Sequence, residues 1–286
     1  MAIRPSDLIL EAAENFAADS QKAAALAGVR TLKSCRSGYE VTTMQVTTPS
    51  AADALGKPVG RYVTLDLRPY FQRQTGFFAR GVACIRAELT ALLPSIGTER
   101  SVLAVGLGNR GLTADAIGPM ALDSLLVTRH MVRQLPRQFA AFTPVEALAP
   151  GVLGSTGMET LELVRAVVRE TCPAAVIAVD ALAARNRDRL CATVQLSDTG
   201  LIPGSGVGNH RRALNAETLG VPVIAVGIPT VIDASDLGDT ENGEPLFVTP
   251  RDIDSRVREL SRLVGYGVTL ALQPSLTIDD VTGLLG

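Results

Sequence analysis

Two aspartates sit where their apolar neighbours do not explain them. Asp180 closes the run VIAVD, and Asp115 lies in GNRGLTADAIGP, between an apolar run and a helix start. An acid at the carboxyl end of a buried strand projects into the crevice where open α/β sheets hold their ligands. If the strand before Asp115 runs parallel to the one ending at Asp180, both carboxyls reach the same edge of the sheet. The helix that follows Asp115 favours its ionised form through the positive end of the helix dipole. Two carboxyls at one rim can divide the work of hydrolysis. The ionised one takes a proton from water, and the protonated one gives a proton to a carbonyl oxygen or a leaving amine. Burial and mutual repulsion push their pKa values apart, so that both forms coexist. The plainer reading of either acid is a helix cap or a loop ion pair.

Other residue types offer competing chemistries. Gly106, Gly108 and Gly111 form G-L-G-N-R-G after an apolar run, the spacing of a dinucleotide-binding turn. That turn must open directly into its helix, whereas Gly118-Pro119 delays the helix, and no acid ends a second strand about 20 residues on. A tight turn allowing close backbone passage is the better reading. Ser155 and Ser205 lack the G-x-S-x-G frame of a nucleophile elbow and read as turn residues. Residues 204–209, GSGVGN, offer backbone donors for a carbonyl or an anion. Only two histidines occur. His130 reads as a C-terminal capping or packing group of a helix, and His210, beside Arg211 and Arg212, as a solvated loop residue. A multi-histidine metal centre is therefore excluded, while an ion held by Asp115, Asp180 and one His stays open. Cys35, Cys84, Cys172 and Cys191 form no C-x-x-C pair and read as reduced thiols.

The elements that must position these groups follow from patterning. Residues 6–17 have helical periodicity, 61–67 read as a strand and 77–93 as a helix. SVLAVGLGN (101–109) opens with a buried strand, and 119–132 follow as an amphipathic helix with Pro119 at its first position. Residues 145–151 are strand-like. Thr156 and Glu159 have capping-box spacing for a helix reaching about Thr171, with Met158, Leu161, Val164, Val167 and Val168 inward. AAVIAVDAL (174–182) is apolar throughout, as a parallel strand buried on both faces must be. Strands are expected at 191–198 and 222–232, and loops at 199–208 and 235–246. A helix over 250–265 is capped by Thr249, Pro250 and Asp252, and a short C-terminal helix opens on Thr277 and Asp280. Alternation of strand and helix from 101 to 232 predicts an α/β fold with a mostly parallel central sheet flanked by helices. We expect a single domain over 1–286. Its regular core runs from about 101 to 234, with residues 1–100 and the helices of 249–286 packed onto it.

Composition sets the outer limits. The chain has 286 residues, 47% hydrophobic but only 4% aromatic and without Trp, so its core must be aliphatic. A net charge of −2 and a pI near 5.8 give no basic footprint for nucleic acid. The N-terminus carries Asp7, Glu11 and Glu14 and does not read as a secretory signal. No apolar run reaches about 18 residues without a charge, so no membrane span is expected. A cytoplasmic protein is the expectation.

The segments VGLGNRGLTADAIGP, LLVTRHM, APGVLGSTGMET, VIAVDALAAR and QLSDTGLIPGSGVGNHRRALNAETLGVPVIAVGIPTVIDA together resemble the spore germination protease family. Weaker similarity covers RPSDLILEA, GRYVTL and VTPRDID. The resemblance implies an intracellular endopeptidase that degrades small acid-soluble spore proteins in the spore core during germination. It implies an atypical aspartic peptidase with a fold similar to hydrogenase maturation proteases, no required cofactor, and a homo-oligomer, a tetramer in the family. The family's two essential aspartates carry over onto Asp115 and Asp180. Two departures stand out. RPSDLILEA, similar to the start of a mature form, begins at Arg4, which leaves little pro-segment, and the stretch between VIDA and FVTPRD is shorter than in long members. Two rival readings remain, a metal-dependent maturation-type protease and a non-catalytic binding protein on the same fold.

Overall fold

The computed structural model describes residues 7–18, 28–97, 99–205, 211–237 and 246–285. Strands β1 (Val29–Arg36), β2 (Tyr39–Val46), β3 (Gly60–Asp66), β4 (Val102–Gly106), β5 (Val145–Leu148), β6 (Ala175–Ala184), β7 (Thr193–Ser197) and β8 (Val223–Asp233) form one sheet. Their order is β1-β2-β3-β7-β8-β6-β4-β5, and the short β9 (Phe247–Val248) pairs with β8. β5, β4, β6 and β8 are parallel, as their apolar runs require. Beyond β8 the direction reverses. β7, β3, β2 and β1 add antiparallel ladders, so the expected parallel core is extended into a larger mixed sheet.

The parallel strands β4 and β6 are buried along their first five residues, and the two faces they present take different helices. On one face Ala104, Ile177, Val179 and Val226 pack with α4 (Phe77–Leu92), α5 (Ile117–Leu122) and α10 (Ile253–Leu272). On the other, Leu103, Val105, Val176 and Ala178 meet α8 (Thr160–Thr171) and α9 (Ala216–Leu219). The period-2 alternation of a strand thus sorts one apolar run into two cores. A third cluster joins α1 (Ile9–Ala18) and α2 (Pro49–Leu55) to Met44, Val46 and Tyr62 on the antiparallel extension. Each fully buried aliphatic side chain contributes about 1.5–3 kcal/mol.

Several sequence expectations need correction. The helix expected over 119–132 is two short ones, α5 and α6 (Arg129–Gln134). The chain between them is diverted because the Leu126 amide donates to Thr269 and the Thr128 amide to the Val145 carbonyl. α5 begins at Ile117, two residues ahead of Pro119, whose missing amide falls among the unpaired donors of a first turn. The capping box of α8 is Glu159 with Glu162, not Thr156 with Glu159, and Met158 is exposed. α10 extends to Leu272, and the Asp252 carboxylate holds Arg256 instead of capping. The box of Thr277 with Asp280 is formed ahead of α11 (Ile278–Leu285). The β1–β2 hairpin and α2 were not anticipated from the sequence.

Candidate active site

Asp180 owes its position to a difference in strand length. β4 ends at Gly106, paired with Val179, while β6 continues for five more residues. Asp180 is the first residue of β6 beyond that last pair and sits opposite Gly227 of β8. One flank therefore opens where β4 turns away. Even so, Asp180 is only 4% exposed. Its Oδ1 accepts from the Ala181 amide at 2.9 Å.

Asp115 reaches the same place from β4. After Leu107, whose amide bonds the Val179 carbonyl, the chain turns at Gly108 with φ +107° and closes a 3₁₀ turn over Thr113–Asp115. A Cβ built on Gly108 would lie 2.0 Å from the Asp115 carbonyl oxygen, so only glycine fits. The Asp115 Oδ2 accepts from the Asn109 amide at 2.7 Å. β8 braces this loop from beneath. The pairing of β6 with β8 shifts by one residue past Leu182, leaving Thr230 as the extra residue of a bulge. The Thr230 hydroxyl then donates to the Ala114 carbonyl at 2.5 Å. β4 and β6 are adjacent, and the chain leaves them toward opposite sides of the sheet, β5 lying beyond β4 and β8 beyond β6. This is the switch point at which doubly wound sheets bind ligands.

Both aspartates line a cavity of about 480 Å³, together with Asp7, Arg211, Thr230 and Phe247. Burial holds the Asp115 carboxyl above its ordinary range, and the Asn109 amide opposes the rise. Asp180 is held well above its ordinary range, first by burial, then by the negative charges of Asp115 and Asp7. Electrostatics thus couple the two carboxyls and favour the neutral form more strongly at Asp180. Arg211 pairs with Glu159 at 3.4 Å at the rim.

The germination protease family model matches residues 2–242. This chain belongs to the germination protease family. It is 36% identical to a germination protease of Clostridium perfringens, covering 88% of this chain and 90% of the relative. It is 35% identical to that of Caldanaerobacter subterraneus, covering 98% and 97%. It is 41% identical to that of Bacillus subtilis, covering 85% of this chain and 67% of the relative. Membership makes the protein a peptidase, so the germination protease cavity can be read for peptide hydrolysis.

Of the residues picked out in the sequence, the germination protease fold brings Asp115 and Asp180 to one cavity and leaves the rest elsewhere or in supporting roles. Ser155 is exposed, its hydroxyl donating to the Val152 carbonyl in a turn. Ser205 donates to Asp7 Oδ1 at 2.6 Å. His130 is the second residue of α6 and exposed, not a C-terminal cap. His210, with Asn209 and most of the GSGVGN loop, lies outside the described residues. Among the described residues no three His, Cys, Asp or Glu side chains gather closely enough to hold a metal ion. All four cysteines are free, and burial pushes the Cys84 and Cys191 thiols up to about 12. No described helix is long and apolar enough to cross a membrane. The cavity residue that sequence reading missed is Asp7. Its only signal was a charge in RPSDLILEA, and the partners of its carboxylate lie more than 170 residues away.

Proposed function

We propose that this protein is an endopeptidase that cleaves small acid-soluble spore proteins during germination, using Asp115 and Asp180 without a bound cofactor. The observation that carries the reading is the pairing of two unequal carboxyls in one cavity at the switch point of the sheet. Asp180, the more buried and the more strongly biased to its neutral form, is the proton donor. Asp115, less enclosed and supported by a backbone amide that favours charge, is the base.

In the first step Asp115 takes a proton from water as the water oxygen bonds to the scissile carbonyl carbon. Asp180 hydrogen-bonds the carbonyl oxygen and stabilises the charge that gathers there. Collapse of the tetrahedral species breaks the C–N bond, and the departing amine takes the Asp180 proton. The proton now on Asp115 leaves to solvent and Asp180 is reprotonated, which restores both groups. General acid and base contributions of this kind are each about 10²–10⁴-fold. The substrate class is supported by the relatives' germination role and by the long GLIPGSGVGN resemblance. In this reading the enzyme works in the cytoplasm of the spore core.

The test is incubation with a purified small acid-soluble spore protein, followed by mass analysis, with and without a chelator. Asp115→Asn and Asp180→Asn should each lower kcat by at least about 10³-fold with the circular dichroism spectrum unchanged. Cleavage that survives in both variants would sink the proposal. Loss on chelation, restored by an added ion, would replace it with metal-dependent hydrolysis.

A further inference from the structure

Asp7 belongs to a segment far from both catalytic candidates in sequence, yet it is anchored at every polar atom of its carbonyl and side chain. Oδ2 accepts from the Ala183 amide at 2.9 Å, and Oδ1 from the Ser205 hydroxyl at 2.6 Å. Its carbonyl oxygen accepts from Lys57 Nζ at 2.9 Å and from Gln195 Nε2 at 3.1 Å. Ala183 lies on β6 beyond Val179, the last residue paired with β4, and on the same flank as Val179 by strand alternation. One turn further on, the Glu11 carboxylate accepts from the Arg185 and Asn186 amides, both at 2.9 Å. The segment 7–11 thus follows the end of β6 as side chains on backbone amides, and Asp7 itself faces the cavity.

We propose that Asp7 is a positioning residue of the same site. Its carboxylate clips the end of β6 to the loop that carries Ser205, and its negative charge faces the proton-donor carboxyl of Asp180. This rests on the reading of Asp180 as the donor. A like charge fixed beside a buried carboxyl disfavours loss of its proton, and Asp7 acts on Asp180 in that sense. The charged groups that share the cavity with Asp180 are Asp115 from the loop after β4, Asp7 from the N-terminal segment and Arg211, with Lys57 held on the carbonyl of Asp7. Within the cavity itself two acids stand against one cation, Arg211, which is paired with Glu159, and this leaves the balance on the side of the protonated form. The serine is accounted for in the same way. It holds Asp7 and is not a nucleophile.

Asp7→Asn keeps the size and an acceptor oxygen but removes the charge, and Ser205→Ala keeps the charge but removes one anchor. The basic limb of the kcat–pH profile, where Asp180 gives up its proton, should move to lower pH in Asp7→Asn. kcat measured above that limb should fall about three- to tenfold with KM nearly constant. Ser205→Ala should leave the limb in place. The carbon-13 shift of the Asp180 carboxyl should titrate at lower pH in Asp7→Asn, and this readout does not depend on proteolysis. If Asp7→Asn fails to fold, Lys57→Met makes the same test with opposite sign and should move the limb and the titration to higher pH. Profiles and titrations that superimpose on the wild type would overturn the proposal. Cleavage persisting in Asp180→Asn would instead overturn the donor assignment and leave the titration as the test of Asp7.

Discussion

At the residue scale, the donor role proposed for Asp180 needs a proton, and its surroundings favour holding one. Its folded pKa is raised by burial and by Asp115 and Asp7, whereas the unfolded value stays near the ordinary ~3.9. Below the unfolded value the proton is bound in both states. As pH rises from there through the raised folded value, the folded state releases a proton it holds more tightly than the unfolded chain does, so stability falls. Asp115 acts in the same direction. Asp180→Asn removes this loss. It should therefore melt higher than the wild type at pH 7–8, by about 2–4 °C for each kcal/mol recovered, with the gap closing toward pH 4. Calorimetry over a pH series measures it, and a variant less stable than the wild type at neutral pH would contradict the assigned shift. The two aspartates were legible in the sequence because an acid ending an apolar run is conspicuous. Asp7 was not, because it stands among Glu11 and Glu14 in an amphipathic stretch where acids need no explanation.

At the scale of elements, close approach decides where the acids meet. Gly118, the second residue of α5, lies against both strand ends. A Cβ there would lie 2.3 Å from the Leu107 carbonyl oxygen and 2.4 Å from the Val179 carbonyl oxygen. Backbone on both sides leaves no room to yield, so Gly118→Ala should cost about 1–3 kcal/mol and displace the Asp115 loop. Denaturant unfolding and kcat should report the two losses together. A stable variant with full activity would show that α5 can move without consequence. Sequence patterning found β4, β6 and β8 because strands buried on both faces are apolar throughout. It failed at 119–132, where helical periodicity persists but Thr269 and Val145 capture the amides that a continuous helix would use. Tertiary hydrogen bonds there override local preference.

At the scale of the whole molecule, the end of α10 is tied to the β5 edge by one buried side chain. Gln273 is 1% exposed. Its Oε1 accepts from the Thr143 amide at 3.1 Å, and its Nε2 donates to the Thr143 carbonyl at 2.7 Å. Gln273→Leu would leave the Thr143 amide buried and unpaired and would remove one of the two donors to the Thr143 carbonyl, the Thr128 hydroxyl being the other. It should cost about 2–3 kcal/mol and speed hydrogen exchange at Thr143, while kcat at 25 °C changes little. Unchanged protection would show that the tie is dispensable. The antiparallel half of the sheet was the least legible region. All but the first residue of β1 is exposed, so its sequence VRTLKSCR has no apolar face to betray it, and only the Ser37-Gly38 turn, both residues at positive φ, marks the hairpin.

The anchoring of Asp7 also bears on biosynthesis. Its carboxylate is gripped by residues 176 and 198 positions later in the chain, so Asp7 cannot take its anchored place until translation has passed Ser205. Contacts of such long range form late. A ribosome-bound fragment would therefore carry Asp115 and Asp180 yet lack the wall that Asp7 supplies, and the cavity would be completed only once Ser205 has been made.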